Sequence, residues 1–146
     1  MDIEFSVAAD FKRSTLDAYD QLNQRYSGRK VAETFGQISI GNQLGSGRPG
    51  DMLPAVTKID FEKYVSYGLK KGIGFNYSLN MTCYGNQEFT QEGLKAIDTL
   101  IHYLYNIGVN SITVAIPFLI DYISRQKTEL KIKASTLCDI TNAEKA

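Results

Sequence analysis

The chain has 146 residues and is 43% hydrophobic, which is enough for one domain with a buried core and argues against a disordered chain. Lys and Arg number 16, as do Asp and Glu, and the resulting net charge of zero argues against a broad surface for nucleic acid or anionic membrane. There is no apolar run near the roughly 18 residues of a membrane span and no basic segment typical of a secretory signal, so we expect a cytoplasmic protein.

Strand-like and helix-like patterns alternate from the start of the chain. A strand is predicted over residues 3–8, a helix from a Ser14 cap to Tyr26, and a second strand over residues 35–40. Residues 41–54 hold four of the 12 glycines and two of the three prolines. They predict a loop, because Gly permits positive φ and Pro interrupts regular pairing.

The same alternation continues through the second half. We expect Asp60 to cap a second helix that ends near Gly72, and Thr90 to cap a third helix that ends at Gly108. Pro117 begins a short fourth helix. Further strands are predicted over residues 74–79, 111–116 and 130–134. We interpret Tyr19, Tyr64 and Tyr105, which fall on apolar stripes, as core residues. The stripes of the three longer helices are Leu16, Tyr19, Leu22 and Tyr26; Phe61, Tyr64, Val65 and Leu69; Leu94, Ile97, Ile101, Leu104 and Tyr105.

Four strand–helix units and a fifth strand make about half of a (β/α)₈ barrel, which usually needs about 250 residues. The alternative is a small open doubly wound sheet, which fits 146 residues. Past the last strand, Thr141 and Glu144 form a capping-box pattern with only about one turn of helix after it. We therefore expect residues 1–146 to be a single α/β domain, the N-terminal part of a longer TIM-type barrel.

Several short motifs lie in this second half. Gly108-Val109-Asn110 turns into a strand over residues 112–114, a later strand ends in Ala134-Ser135-Thr136, and Thr141-Asn142 opens a helix. Together with the strand that ends in Asn80, these motifs resemble the U32 peptidase (collagenase-like protease) family over residues 60–146. The resemblance implies a TIM-like barrel. For full-length relatives it implies a peptidase, or an iron–sulfur protein of oxygen-independent hydroxylation or RNA modification.

The chain departs from this family at the fourth strand. Ile116 stands where the family commonly has an acidic residue. The cysteine cluster and the His-Gly signature of the family lie in the second half of the barrel, beyond Ala146. The resemblance therefore implies no cofactor in this chain and an iron–sulfur cluster in a longer form, and the catalytic residues remain unknown.

Polar residues near the predicted strand ends and in the Gly-rich loop are candidates for substrate binding. They could orient a substrate by hydrogen bonds, and the Ser, Thr and Asn side chains could instead cap helices. The loop at residues 41–50 could alternatively cradle phosphate with its backbone N–H groups, although it matches no standard phosphate motif. The candidates are Asn42, Arg48, Asn80, Ser135 and Thr136.

The other reactive side chains have simpler interpretations. Cys83 and Cys138 follow strand ends, but a catalytic thiol needs a base and an iron–sulfur cluster about four thiolates, so we interpret both as unpaired thiols. His102 falls within the third helix and is interpreted as a surface or packing residue. Glu33 and Asp51 are isolated acids.

Three hypotheses for function remain open. In the first, the chain is part of a U32-like enzyme whose rim contacts a peptide or small-molecule substrate, with the catalytic residues downstream. In the second, it is a non-catalytic half-barrel that pairs with a missing C-terminal half or with itself, because an open fifth strand favours association. In the third, it is a small α/β domain that binds a phosphorylated ligand. We expect neither membrane nor nucleic acid as a partner.

Overall fold

The computed structural model describes residues 3–42, 44–126 and 128–141, and its strands and helices alternate throughout. Three short 3₁₀ turns, at Gly50–Met52, Gln87–Phe89 and Thr136–Cys138, lie in the connections. The strands are β1 (Ile3–Ala8), β2 (Arg29–Gly36), β3 (Gly74–Leu79), β4 (Ser111–Val114) and β5 (Lys131–Ala134). The helices are α1 (Arg13–Arg25), α2 (Lys58–Lys70), α3 (Gln91–Asn106) and α4 (Pro117–Ser124).

The five strands are all parallel, and their order in the sheet is their order along the chain. A doubly wound sheet reverses its strand order at a switch point, and this sheet has no such reversal. The sheet instead curls as half of a barrel, with the helices outside it. The predicted partial TIM-type fold is therefore confirmed, and the open doubly wound alternative is wrong.

The core lies between the outer face of the sheet and the helices. Side chains alternate along β3, so that Phe75, Tyr77 and Leu79 face the helices and are buried. Phe61 of α2 meets Phe75 edge to face, with ring centroids 5.0 Å apart. Burial of one such side chain contributes about 1.5–3 kcal/mol. Apolar side chains that are fully buried at this layer include Leu16, Ile97, Ile101, Leu104, Ile112 and Leu119.

The inner face of the sheet is polar. A TIM barrel normally fills its interior with layers of branched apolar side chains. Here Asn76 on β3 and Thr113 on β4 exchange hydrogen bonds, with Asn76 Nδ2 donating at 2.9 Å and Thr113 Oγ1 donating at 3.1 Å. Glu33 on β2 also lies on this face, between Ser6 and Ser111. The interior of this half-barrel is therefore held by hydrogen bonds more than by apolar packing.

The second strand is not where the sequence predicts it. β2 spans Arg29–Gly36, whereas the predicted strand covers residues 35–40. The pairing of β1 with β2 passes from Phe5–Val31 to Ser6–Glu33, so Ala32 is an extra, bulged residue that breaks the alternation. Ile38 and Ile40 have the alternation of a strand, but the backbone N–H groups of Ser39 and Ile40 bond to Val56 O instead of pairing with a strand of the sheet.

Two predicted caps are also wrong. Thr57 caps α2, because its Oγ1 accepts from the Asp60 backbone N–H at 3.2 Å, and Asp60 lies inside the first turn. Ser14 lies inside α1, which begins at Arg13 after Lys12. The Thr90 cap of α3 is confirmed, since its Oγ1 accepts from the Gly93 N–H at 3.0 Å.

Four side chains of the predicted apolar stripes lie at the surface. Tyr105 and Leu69 are exposed on α3 and α2, and Leu22 and Tyr26 are exposed at the end of α1. The helical period sets the side of the helix on which a residue lies, but the neighbouring element decides whether that side is covered. The predicted helix at Asn142 and Glu144 lies outside the described residues. None of the described helices combines the length and the hydropathy needed to cross a membrane.

Candidate functional site

A cleft opens at the C-terminal ends of β1, β2 and β3, the edge at which TIM-type folds bind their ligands. Its volume is about 140 Å³. Phe11 projects into it from the β1–α1 turn with a positive φ of 59°, a conformation uncommon for an aromatic residue. Its ring lies so close to Gly36 that a Cβ there would be 3.0 Å from Phe11 Cζ. The lining residues are Ala8, Ala9, Phe11, Phe35, Gly36, Gln37, Ser46, Arg48, Met52, Leu53, Pro54, Ser78 and Asn80.

The connection between β2 and α2 forms one wall of this cleft and is folded around Asn42. The side-chain amide of Asn42 donates to Leu44 O at 2.9 Å, to the Tyr77 hydroxyl at 3.0 Å and to Ile38 O at 3.1 Å. Its Oδ1 accepts from the Leu44 N–H. Asn42 therefore holds the loop on the core, and it is not among the residues that line the cleft.

The loop is fastened to the mouth of the barrel at Asn80. The Gly47 N–H donates to Asn80 Oδ1 at 3.1 Å. A Cβ on Gly47 would lie 2.6 Å from Leu137 Cδ1 and 2.9 Å from Asn80 O, so only glycine allows this approach. The Gly-rich loop, the end of β3 and the turn after β5 are thus brought together at one point.

Arg48 and Gln37 give the cleft its polar character. Arg48 is exposed, and among the described residues its guanidinium has no hydrogen-bond or ion-pair partner. Gln37 is only 7% exposed, and within the described ranges its Oε1 has no hydrogen-bond partner. A buried polar atom without a partner costs about 1–3 kcal/mol. Gln37 Oε1 is itself almost inaccessible to solvent, so a ligand in the cleft could supply its missing donor only after the side chain rotates toward the cleft.

The residues after β5 are held by their own turn. Ser135 is buried, and its Oγ accepts from the Leu137 N–H at 3.1 Å, which caps the 3₁₀ turn. Thr136 is exposed on that turn. Neither residue lines the cleft, so the structure brings Arg48 and Asn80 together there but leaves Asn42, Ser135 and Thr136 outside it.

The two thiols do not form a site with each other. Cys138 Sγ donates to Ala115 O at 3.2 Å, and exposed Cys83 accepts from the Gly85 N–H at 3.3 Å. An iron–sulfur cluster is usually held by four thiolates. Two thiols that are each engaged with backbone do not fit such a cluster. Across the described ranges, no group of three or more His, Cys, Asp or Glu side chains could hold a metal ion.

The single histidine lies away from the cleft. His102 is exposed on α3, and its Nδ1 lies 2.7 Å from Asp98 O. Among the residues that the structure describes, the cleft lining contains no acid, histidine or cysteine. This part of the lining offers groups that can contact a ligand, but no general base or thiol nucleophile.

Glu33, like Gln37, is a residue whose role sequence reasoning missed. It is not isolated: its Oε1 accepts from the Ser6 hydroxyl at 2.7 Å and pairs with Lys133 Nζ, and its Oε2 accepts from the Ser111 hydroxyl at 3.1 Å. Burial raises the pKa of the Glu33 carboxyl, but the bonds from Lys133, Ser6 and Ser111 outweigh it and hold that pKa below its ordinary value. The sequence predicts the second strand over residues 35–40, so Glu33 falls outside that predicted strand. An acid within the true strand is the signal that could have identified it.

Comparison with known proteins gives a consistent result. The family described as peptidase family U32 matches residues 57–146. An uncharacterized protease of Methanocaldococcus jannaschii is 30% identical over 139 residues, which cover 92% of this chain and 41% of that protein. The solved structure of the U32 peptidase Mk0906 superposes with a TM-score of 0.72 at 16% identity, over 99% of this chain and 53% of that one. The chain thus spans about half the length of the proteins it matches.

Proposed function

The chain belongs to peptidase family U32, and we propose that it forms the first part of the barrel of a protease-like enzyme and that its cleft binds part of a peptide substrate. The observation that carries this proposal is the position of the cleft. It lies at the C-terminal ends of three barrel strands, with Arg48, Asn80 and Gln37 around it.

The chemistry of the lining supports a binding role for these residues. Peptides offer backbone N–H and C=O groups and carboxylates. The cleft offers amide groups, apolar walls and an arginine that has no partner among the described residues. Hydrolysis of a peptide bond also needs an activated nucleophile or water. Those groups come from outside the lining, so we assign no catalytic residue to this chain.

Peptide cleavage by the protein expressed from its natural reading frame tests this function. The substrates are a peptide library read by mass spectrometry, and the variant is Arg48→Gln. We expect KM to rise about tenfold with kcat little changed, because loss of binding that is equal in ground and transition state affects KM. Arg125→Gln is the matched control, since Arg125 is an exposed arginine at the C-cap of α4 that pairs with Asp121. If no peptide is bound or cleaved, the proposal is wrong.

A second candidate, a half-barrel that associates with a partner half or with itself, rests on a different surface. The outer side of β1 and the end of α1 expose apolar side chains, with Phe5 at 47%, Leu22 at 46% and Tyr26 at 51%. Within the described ranges, β1 and β5 are the outer strands of the sheet, and each pairs with a strand on one side. Sedimentation velocity over a concentration range tests this association, and Leu22→Lys should weaken it.

The iron–sulfur chemistry implied by the family resemblance requires ligands beyond those described. Cys83 and Cys138 do not fit a cluster, so hydroxylation or RNA modification would depend on thiolates from another segment. Absorbance near 400 nm in anaerobically purified protein distinguishes this alternative from a metal-free peptidase.

A further inference from the structure

We propose that the cleft binds the C-terminal residue of a peptide, with its free carboxylate on Arg48, its amide N–H on Gln37 and its apolar side chain against the aromatic wall. The proposal rests on the proposed peptide-binding function and deepens it. It names the end of the substrate that this half of the barrel recognises.

The charge of the cleft points to a carboxylate. Arg48 has no hydrogen-bond or ion-pair partner among the described residues, and no Asp or Glu lies in the lining to neutralise it. A guanidinium presents N–H groups in a planar fork that matches the two oxygens of a carboxylate. The cation is therefore available to an anionic ligand.

A phosphate is a poorer match to the same loop. Phosphate cradles in Gly-rich loops depend on free backbone N–H groups that converge on the anion. Here the Gly47 N–H donates to Asn80 Oδ1, the Arg48 N–H donates to Ser46 Oγ, and the Leu44 N–H donates to Asn42 Oδ1. These amides are already used within the protein, which favours a ligand that needs only the guanidinium.

The unpartnered side-chain oxygen of Gln37 indicates that the ligand carries an N–H donor. Gln37 lines the cleft, is more than nine-tenths buried, and has no partner for Oε1 in the part of the chain that the structure describes. The terminal residue of a peptide carries an amide N–H one Cα away from its carboxylate. A ligand of this kind supplies the anion for Arg48, and it supplies the donor for Gln37 once the enclosed side-chain amide rotates toward the cleft.

The size of the cleft limits the ligand to one side chain. Its volume of about 140 Å³ is close to the roughly 150 Å³ of an apolar cavity that accommodates benzene. Its apolar walls come from Phe11, Phe35, Met52, Leu53 and Pro54. A ring or a branched aliphatic side chain fills this space, whereas a nucleotide exceeds it.

Binding of two peptides that differ only at the C-terminus tests the inference. Both end in Phe, one as the free acid and one as the amide, and titration calorimetry with the protein from its natural reading frame measures their affinities. We expect the acid to bind about tenfold more tightly, the low end for a hydrogen-bonded charge at an exposed arginine. Arg48→Gln should remove that preference, and Arg125→Gln should retain it, with thermal melting as the check that both variants are folded.

The possible results separate this inference from the proposed function. If acid and amide bind equally, the carboxylate subsite is wrong while peptide binding stands. If neither peptide binds and no peptide is cleaved, the proposed function itself is wrong. If millimolar inorganic phosphate displaces the acid from the wild-type protein but not from Arg48→Gln, and the amide does not bind, the site recognises an oxyanion and the peptide assignment is overturned.

Discussion

Replacement of Glu33 by Gln tests whether the polar network inside the half-barrel stabilises the fold. The carboxylate accepts from Ser6 on β1 and Ser111 on β4 and pairs with Lys133 on β5, so it connects its own strand to three others. Gln keeps the shape of the side chain and one oxygen but removes the charge. The substitution therefore measures the contribution of the charge with little change in packing.

The expected magnitude follows from the exposure of the pair. The Glu33 side chain is 12% exposed, whereas that of Lys133 is 44% exposed. Hydrogen bonds to a charged group contribute about 1.5–3 kcal/mol, and water around the ammonium reduces this value toward that of a surface pair. We expect Glu33→Gln to lower the free energy of unfolding by about 1–2 kcal/mol at pH 7, which is about 3–7 °C in Tm for a chain of this size.

The pH dependence distinguishes loss of charge from loss of packing. The pKa of folded Glu33 lies below its ordinary value of 4.5. A lowered folded pKa gives stability that is fully present above the unfolded pKa and is lost as the pH falls through the folded pKa. Urea unfolding should therefore show the full gap between wild type and Glu33→Gln at pH 7 and a smaller gap as the pH falls below 4.5.

A double-mutant cycle with Lys133→Met completes the assay. We expect a coupling free energy of about 1 kcal/mol between Glu33 and Lys133 at pH 7, because the two side chains are in direct contact. A Glu33→Gln gap that is the same at pH 7 and pH 3, or a coupling near zero, would refute the electrostatic reasoning.

Three further predictions concern the loop, the cleft and the helix caps. Gly47→Ala should displace the loop from the mouth of the barrel and speed its cleavage in limited proteolysis. Gly50→Ala is the control and should behave as wild type, because no atom lies within 4 Å of a Cβ there. Equal cleavage of the two variants would contradict the close approach at Gly47. Gln37→Met should raise the free energy of unfolding by about 1 kcal/mol, because it removes an unpartnered buried oxygen. The same substitution should weaken peptide binding. A fall in the urea midpoint would show that the oxygen is satisfied in the native protein. Thr90→Ala should lower the free energy of chemical unfolding by about 1 kcal/mol, because Thr90 caps α3. Ser14→Ala, inside α1, should lower it by less than about 0.5 kcal/mol. Equal losses would contradict the assigned caps.

Whether a strand can be predicted from the sequence depends on how clearly its two faces differ in polarity. β3 is predictable because buried Phe75 and Tyr77 alternate with Asn76 and Ser78, so the period of two is plain in the sequence. β2 is not, because the bulge at Ala32 interrupts the period and the polar Thr34, not Phe35, takes the buried outer position beside Phe75. Pattern reasoning detects contrast between faces, and it fails where a bulge shifts the phase.

The residues of the candidate site also differ in whether the sequence predicts them. Asn80 and Arg48 are predictable because a strand end and a Gly-rich loop fall at the functional edge of any parallel α/β sheet. Gln37 is not, because a misplaced strand hides it and only the tertiary structure leaves its oxygen unpartnered. The ion pair between Glu33 and Lys133 cannot be predicted either, because Lys133 lies 100 residues further along the chain and no local pattern connects the two.

The sequential order of the strands has a consequence for synthesis. Each strand pairs with the strand made just before it, so no later segment has to insert between two earlier ones. A chain that leaves the ribosome at about 5–20 residues per second can add one strand–helix unit at a time to the edge already formed. The order of translation is then also the order of assembly. A nascent chain halted after β4 should already hold a four-stranded sheet, in which Glu33 lacks only the ammonium of Lys133 from the last unit.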